Sequence, residues 1–287
     1  MATVVLTGAT RGIGRAAALE IAARGAELAL VGRDAARVRA TAQEARAYGG
    51  DAPVHEHVAD LTRMDEVRRL GSELLDAHRR IDVLANNAGA MFTARHTTAD
   101  GFEQTFALNH LAPFLLTNVL LDRLTASGGR VVTTSSDAHK AGLLDLDDLQ
   151  SDRGRFRPMR VYGTTKLCNI LFTRELQRHA PALAANCFHP GAIRTGFGKN
   201  DGLLARIGLT LAGPFLGSPE TGARSLVWLA LDPDAGKLRG QYVEKGRPVE
   251  PSVQAQDDRL AAELWERSEQ LVAAPRSSPS PHPRRPD

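Results

Sequence analysis

The segment that most constrains this chain is its opening, where the apolar run TVVLTG at Thr3–Gly8 passes through the turn ATRGIG into RAAALEIAARG, rich in Ala and Leu. Gly25 ends that helix just before a second apolar run, ELALVG at Glu27–Gly32. Two strands joined by one helix of this length run parallel, because a parallel crossover needs about a dozen residues or more. The alternation then repeats: a polar, Ala-rich helix near Asp34–Tyr48, a strand at Val54–Val58, a helix over about Met64–His78 and a strand at Val83–Asn86. Phe102–Leu121 has helical spacing, with Pro113 placed to kink it, and RVVTTSS at Arg130–Ser136 reads as a buried strand. A helix over about Tyr162–His179 leads to the strand and Pro-Gly turn ANCFHPG at Ala185–Gly191. Pro219 and Glu220 open a helix running to about Leu231, Gly240–Glu244 supplies a last strand, and Asp257–Val272 a terminal helix. This order predicts an α/β fold, a doubly wound (Rossmann-type) parallel sheet flanked by helices in a single domain, with a βα barrel as second choice.

Composition narrows the class. With 43% hydrophobic and 24% charged residues the chain can bury a large core. Its formal charge of +3 is mostly contributed by the Pro/Arg-rich stretch 275–287, which is expected to be a disordered tail, so no clustered basic stripe points to nucleic acid. Cys168 and Cys187 are too few for a disulfide scaffold and stand at no metal-binding spacing, which fits a reduced compartment and a cytoplasmic protein. They read as inert packing residues, Cys187 in particular. No export signal is visible at the amino terminus, and the apolar stretch Gly208–Leu216 is far too short for an integral membrane segment. His55 and His57 form an HxH pair without a third ligand, so no metal site is expected, and the acidic DLDDL tract lacks the pattern of a calcium loop.

Gly8, Arg11, Gly12, Ile13 and Gly14 lie in TGATRGIG, between strand and helix. Glycines there allow a tight turn and let backbone N–H groups at a helix start face a pyrophosphate. At the end of the second strand, LVGRD puts Gly32 where an acid would select NAD, and Arg33 next, where a guanidinium can bind a 2′-phosphate. NADP(H) is therefore expected, although a one-residue shift would bring Asp34 to the ribose and restore NAD. Asp60 and Leu61 follow the third strand and can bracket an adenine edge, or Asp60 can cap the next helix. Asn87, Ala88 and Gly89 in NNAG permit close cofactor packing at the fourth strand end.

Taken together, TGATRGIG, NNAG, FALNHLAPF, VVTTSS, YGTTK at Tyr162–Lys166 and HPGAIRT at His189–Thr195 resemble the short-chain dehydrogenase/reductase family, and VYGTTKLCNILFTREL is especially similar to its retinol-dehydrogenase-like branch, which also resembles the WW-domain oxidoreductases. Tyr162 and Lys166, four apart, share a helix face, so an ammonium can stabilise a phenolate and bring a phenol toward use near neutral pH. The resemblance implies catalytic roles for Asn109, Ser136, Tyr162 and Lys166. In it the serine closing the small-residue run acts, Ser136 rather than Ser135, and Asn109 steadies a water near Lys166. Pro190, Gly191, Ile193 and Thr195 would form a cofactor-facing loop, with His189 packed before it. The long loop between Ser136 and Tyr162, and NHLAPF where relatives have NHLGHF, are departures that bear on local backbone course.

The expected activity is NADP(H)-dependent reduction of a carbonyl, a lipophilic ketone or aldehyde, to an alcohol, or the reverse, by hydride transfer from the pro-S face of the nicotinamide with Tyr162 as proton donor. Residues 1–250 would form the NADP-binding oxidoreductase domain with a substrate lid at about 192–217, and 251–274 a C-terminal extension whose helix packs on it. Phe197, Leu203, Leu204, Ile207, Leu209, Leu211 and Phe215 are apolar enough to bound a hydrophobic substrate. A catalytically silent NADP-binding sensor or interaction protein is the alternative. The resemblance suggests homodimer pairing through the helices carrying Asn109 and Tyr162, while the sequence leaves monomer, dimer and tetramer open.

Overall fold

The structure, a computed structural model, describes residues 1–191 and 217–273. Residues 192–216, which hold nearly all of the lid expected at about 192–217 and include Ile193 and Thr195, and residues 274–287, which include the expected tail, lie outside the described residues. Strands β1 (Thr3–Thr7), β2 (Glu27–Gly32), β3 (Val54–Val58), β4 (Val83–Asn86), β5 (Arg130–Thr134), β6 (Ala184–His189), β7 (Tyr242–Glu244) and β8 (Arg247–Pro248) form one sheet in the order β3-β2-β1-β4-β5-β6-β7-β8. All neighbours are parallel except β7 and β8. Helices cover both faces, which is why central strands such as β1, buried along its whole length, read as unbroken apolar runs.

The helices are α1 (Gly12–Ala23), α2 (Ala35–Gly49), α3 (Met64–Ala77), the single turn α4 (Gln104–Phe106), α5 (Ala112–Ala126), α6 (Pro158–His179), α7 (Pro219–Leu231) and α8 (Asp258–Ala273). One core packs α3, α5, α6 and α8 on the sheet through Leu70, Leu74, Phe114, Leu171 and Trp265, among others. The opposite core packs α1, α2 and α7 through Ala18, Ile21, Ala42, Leu226 and Ala230. Winding reverses between β1 and β4, so a crevice opens beyond Thr7 and Asn86 at the carboxyl ends of those strands, the place where such sheets bind ligands.

Several boundaries differ from the sequence expectation. β5 stops at Thr134 rather than Ser136, because Ser136 is the N-cap of a 3-10 turn, Asp137–Ala141, and accepts from Ala138 N at 3.2 Å. Helix α6 starts at Pro158, a residue suited to the first helical turn, four residues before Tyr162. Phe102–Leu121 is not one helix: after α4 a π-helical turn spans Ala107–Leu111, and Pro113 lies in the first turn of α5. The antiparallel β8 had no counterpart in the sequence expectation. Within the long loop between Ser136 and Tyr162, Leu143–Arg157 lies outside the sheet, in turns and bends. No described helix is long and apolar enough to cross a membrane.

Candidate active site

At the glycine turn the backbone approaches itself so closely that side chains are excluded. A Cβ on Gly14 would stand 2.1 Å from Gly8 O, and one on Gly8, whose φ is +66°, 2.8 Å from Ala88 Cα. Thr7 and Asn87 lock this contact. Thr7 Oγ1 accepts from Asn87 N at 3.0 Å and Ala88 N at 3.1 Å, and Asn87 Nδ2 donates to Thr7 O at 3.0 Å. The Asn87 amide therefore fastens the NNAG loop to the glycine loop. Helix α1 begins at Gly12 with no side-chain cap and no acid in its first turn, so Gly12, Ile13 and Gly14 present helix-start N–H groups suited to an anion.

The end of β2 separates the two residues that sequence left in competition. Asp34 is the N-cap of α2: its carboxylate accepts from Arg37 N at 3.1 Å, and that bond holds its pKa below the ordinary carboxylate value. Arg33 is exposed, with no hydrogen bond or ion pair to another described residue, and Arg11 is exposed in the glycine turn. Asp60 Oδ1 accepts from Thr62 N at 3.0 Å and Thr62 Oγ1 at 2.8 Å, forming a local turn. It does not cap α3; Asp100 does, accepting from Met64 N at 2.8 Å. Leu61 is buried at the margin of the core.

The chemical end lies where β5 and α6 meet. Ser135 is buried and donates to Lys166 O at 2.7 Å, which leaves Ser136 as the serine beside the phenol of Tyr162, to which it is hydrogen-bonded. Lys166 Nζ is buried 5.4 Å from the centre of the Tyr162 ring and donates to Thr134 O at 3.0 Å. Burial pushes the Lys166 ammonium down to about 8. The same cause pushes the Tyr162 phenol up to about 12, against the sequence expectation of a lowered value; burial outweighs the hydrogen bond from Ser136 that favours the phenolate. In this state Tyr162 holds its proton firmly, the form needed to donate to a carbonyl.

Asn109, on the π turn, is nearly fully buried. Its amide donates to Ala90 O at 2.9 Å and Thr165 Oγ1 at 3.0 Å and accepts from Ala90 N at 2.9 Å. Thr165 Oγ1 in turn donates to Tyr162 O at 2.8 Å. Both amide hydrogens are engaged, so the Asn109 side chain holds the segment after Gly89 against α6. Pro113 has no N–H to give the Asn109 carbonyl, the bond an α-helix would require.

These residues fit a nicotinamide dinucleotide. Lys166 has three donors and one acceptor among the described residues, leaving capacity for ribose hydroxyls. Beside it Gly89 leaves a space that a Cβ would fill, 3.2 Å from Asn109 Oδ1 and 3.4 Å from Lys166 Nζ. The model of the short chain dehydrogenase family matches residues 2–203. A Streptomyces sp. (strain C5) protein provisionally named daunorubicin C-13 ketoreductase DnrU is 46% identical over 94% of this chain and 92% of its own. Human retinol dehydrogenase 13 is 36% identical over 98% of this chain and 88% of its own. A crystal structure of an uncharacterized protein from Mycobacterium paratuberculosis superposes with a TM-score of 0.78 and 35% identity, covering 97% of this chain and 96% of that one. The chain belongs to the short-chain dehydrogenase/reductase family.

Within that family it falls in the retinol-dehydrogenase-like branch and is an oxidoreductase using a nicotinamide cofactor and a small-molecule substrate. Several residues that hold this short-chain dehydrogenase/reductase site together escaped the sequence reading. Thr7 and Thr165 act through their hydroxyls and Thr134 through its backbone carbonyl, on partners that only the folded register brings near. His139 Nε2 accepts from Ser252 N at 3.1 Å, so its Nδ1–H donates to Ser136 O at 2.8 Å and ties the serine loop to the chain beyond residue 250. His189 Nδ1 accepts from Asp137 N at 3.2 Å, consistent with the packing role expected of it, while Pro190 and Gly191 follow at the end of β6. Burial raises the pKa of both thiols, Cys168 and Cys187, far from any reactive range. A cavity of about 360 Å³ lies beside α6, lined by Leu143, Leu149, Phe156 and Val161, but neither Tyr162 nor Ser136 contributes to its wall.

Proposed function

We propose that the protein is an NADP(H)-dependent carbonyl reductase acting on a lipophilic ketone or aldehyde, with Tyr162 as proton donor. The observation that carries this reading is the half-buried phenol of Tyr162 hydrogen-bonded to Ser136 with the Lys166 ammonium beside its ring. Bound NADPH supplies the hydride that adds to the carbonyl carbon. Tyr162 gives its proton to the carbonyl oxygen, and Ser136 donates a hydrogen bond to the same oxygen. Lys166 stabilises the phenolate so formed, an attraction strengthened by the low dielectric around both groups. The proton on Tyr162 is replenished from solvent along Lys166, and the Asn109 carbonyl, with no donor at Pro113, is placed to hold a water on that route. The reverse sequence oxidises the alcohol.

Preference for NADP(H) is supported by Gly32 in the strand, the exposed Arg33 after it, and the engagement of Asp34 as the α2 cap, which keeps a carboxylate away from a 2′-phosphate. A lipophilic carbonyl is supported by the relatives' names, one a ketoreductase and others retinol dehydrogenases. The test is paired NADPH and NADH kinetics on ketones and aldehydes. Wild type favours NADPH, and Arg33→Ser lowers kcat/KM with NADPH by about 10- to 100-fold while sparing NADH. Equal use of both cofactors by wild type would reject the phosphate reading.

A further inference from the structure

Far from Tyr162, at the opposite end of the sheet, the parallel register assembles a cluster that the HxH pattern alone did not show. Ala29 pairs with His55 and Val31 with His57, so both imidazoles lie on the face of β3 that continues the Glu27, Ala29, Val31 face of β2. Helix α3 packs on that face and returns its C-cap residue, His78, to the start of β2. Glu27 Oε1 lies 2.9 Å from His78 Nδ1 and 3.2 Å from His55 Nε2, and the three ligand atoms all lie within 4.8 Å of one another. The His55 and His78 rings stand nearly perpendicular, at 86°.

We propose that Glu27, His55 and His78 bind one divalent transition-metal ion of the Zn²⁺ type. Ligand atoms around tetrahedral zinc stand about 3.4 Å apart, close to the two Glu27 separations, and two imidazoles with one carboxylate are donors this ion accepts. His55, part-exposed at the sheet surface, is the ligand with room to close the wider gap to His78. Glu27 Oε2 accepts from Thr3 Oγ1 at 3.0 Å, an outer contact that orients the carboxylate. Two buried imidazole nitrogens, His78 Nε2 and His57 Nε2, have no hydrogen-bond partner, and His78 is only 3% exposed. Neither is a proposed ligand atom: the ion would take His78 Nδ1, which otherwise hydrogen-bonds Glu27 Oε1. A bound ion would clip β2, β3 and the end of α3 together, stabilising the fold without entering the chemistry at Tyr162.

The test titrates the full chain, stripped with a chelator, with zinc chloride by calorimetry and with cobalt(II) by visible absorption. The expected result is one equivalent of Zn²⁺ bound in the micromolar range or tighter, an intense four-coordinate cobalt spectrum and a rise in melting temperature with zinc. His55→Gln, at a surface position, weakens binding at least about tenfold, since losing a ligand costs no less than losing an outer partner. His179→Gln, which alters the separate His179–Glu175 pair, leaves binding unchanged. No saturable binding, binding indifferent to His55→Gln, or binding lost in His179→Gln would overturn the assignment.

Discussion

Asn109 and His110 are neighbours on one π turn, yet they belong to opposite faces of the helix pair that builds the site. Asn109 faces Ala90 and Thr165, on the side where Tyr162 and the buried Lys166 hold polar groups in a low-dielectric setting. His110 faces the other way, donating from Nε2 to Ser268 on α8 at 2.8 Å among Phe106, Phe114 and Phe172. Ser268 Oγ donates to Leu264 O, which fixes its acceptor role toward His110, while burial holds the imidazole neutral. On that side Trp265 lies against Phe114 at 4.9 Å and parallel to Phe172 at 5.9 Å. One face thus accepts the cost of burying a charge for the sake of chemistry, and the other supplies apolar contact that holds it in place. The face that family resemblance would offer to a second copy is, around Phe114 and Phe172, covered by the chain's own α8.

The contrast breaks most sharply at Lys166. Lys166→Met should lower kcat by about 10²- to 10⁴-fold, the range for losing an acid–base component. It should also raise the melting temperature at pH 7. The Lys166 pKa falls from an ordinary 10.5 to about 8 on folding, so the wild-type penalty is complete below pH 8 and disappears as pH climbs toward 10.5. The stability advantage of the variant should shrink across that window, as followed by thermal melts. For the same reason wild-type kcat/KM for carbonyl reduction should decline as pH rises through about 8.

On the opposite face Trp265→Ala should cost about 3–5 kcal/mol in chemical denaturation, while turnover per folded molecule in the cold stays near wild type. A large loss of turnover in folded protein would show that the two faces are not separable. A purely pH-dependent effect concerns His110, which burial pushes down to about 3 from an ordinary 6.5. Folded protein binds fewer protons than unfolded between those values, so stability falls as pH drops through them, by up to about 1.4 kcal/mol per pH unit. His110→Gln should flatten that acid limb in denaturation measured at several pH values.

The strands at Glu27–Gly32, Val54–Val58 and Val83–Asn86 and the helix Pro219–Leu231 were legible in the sequence, because apolar period and glycine or proline punctuation agree at each. The break at Ala107–Leu111 was not, since Pro113 predicts disturbance but not that it takes the form of a π turn. At the site, the four-residue spacing pointed to Tyr162 and Lys166 and the family resemblance to Ser136, and the structure brings the three together. They did not reveal that burial would raise the phenol pKa, because desolvation depends on what packs around Tyr162. Nor did they reveal Glu27 as the neighbour of His55 and His78, which only strand register and the return of α3 supply.

The most direct measurement is Tyr162→Phe, with NADPH affinity from fluorescence titration and carbonyl reduction from NADPH consumption, both on folded protein. The account predicts wild-type cofactor affinity with turnover lowered by about 10²-fold or more. Turnover within a few-fold of wild type would contradict it, because the proton would then reach the carbonyl oxygen from some other group.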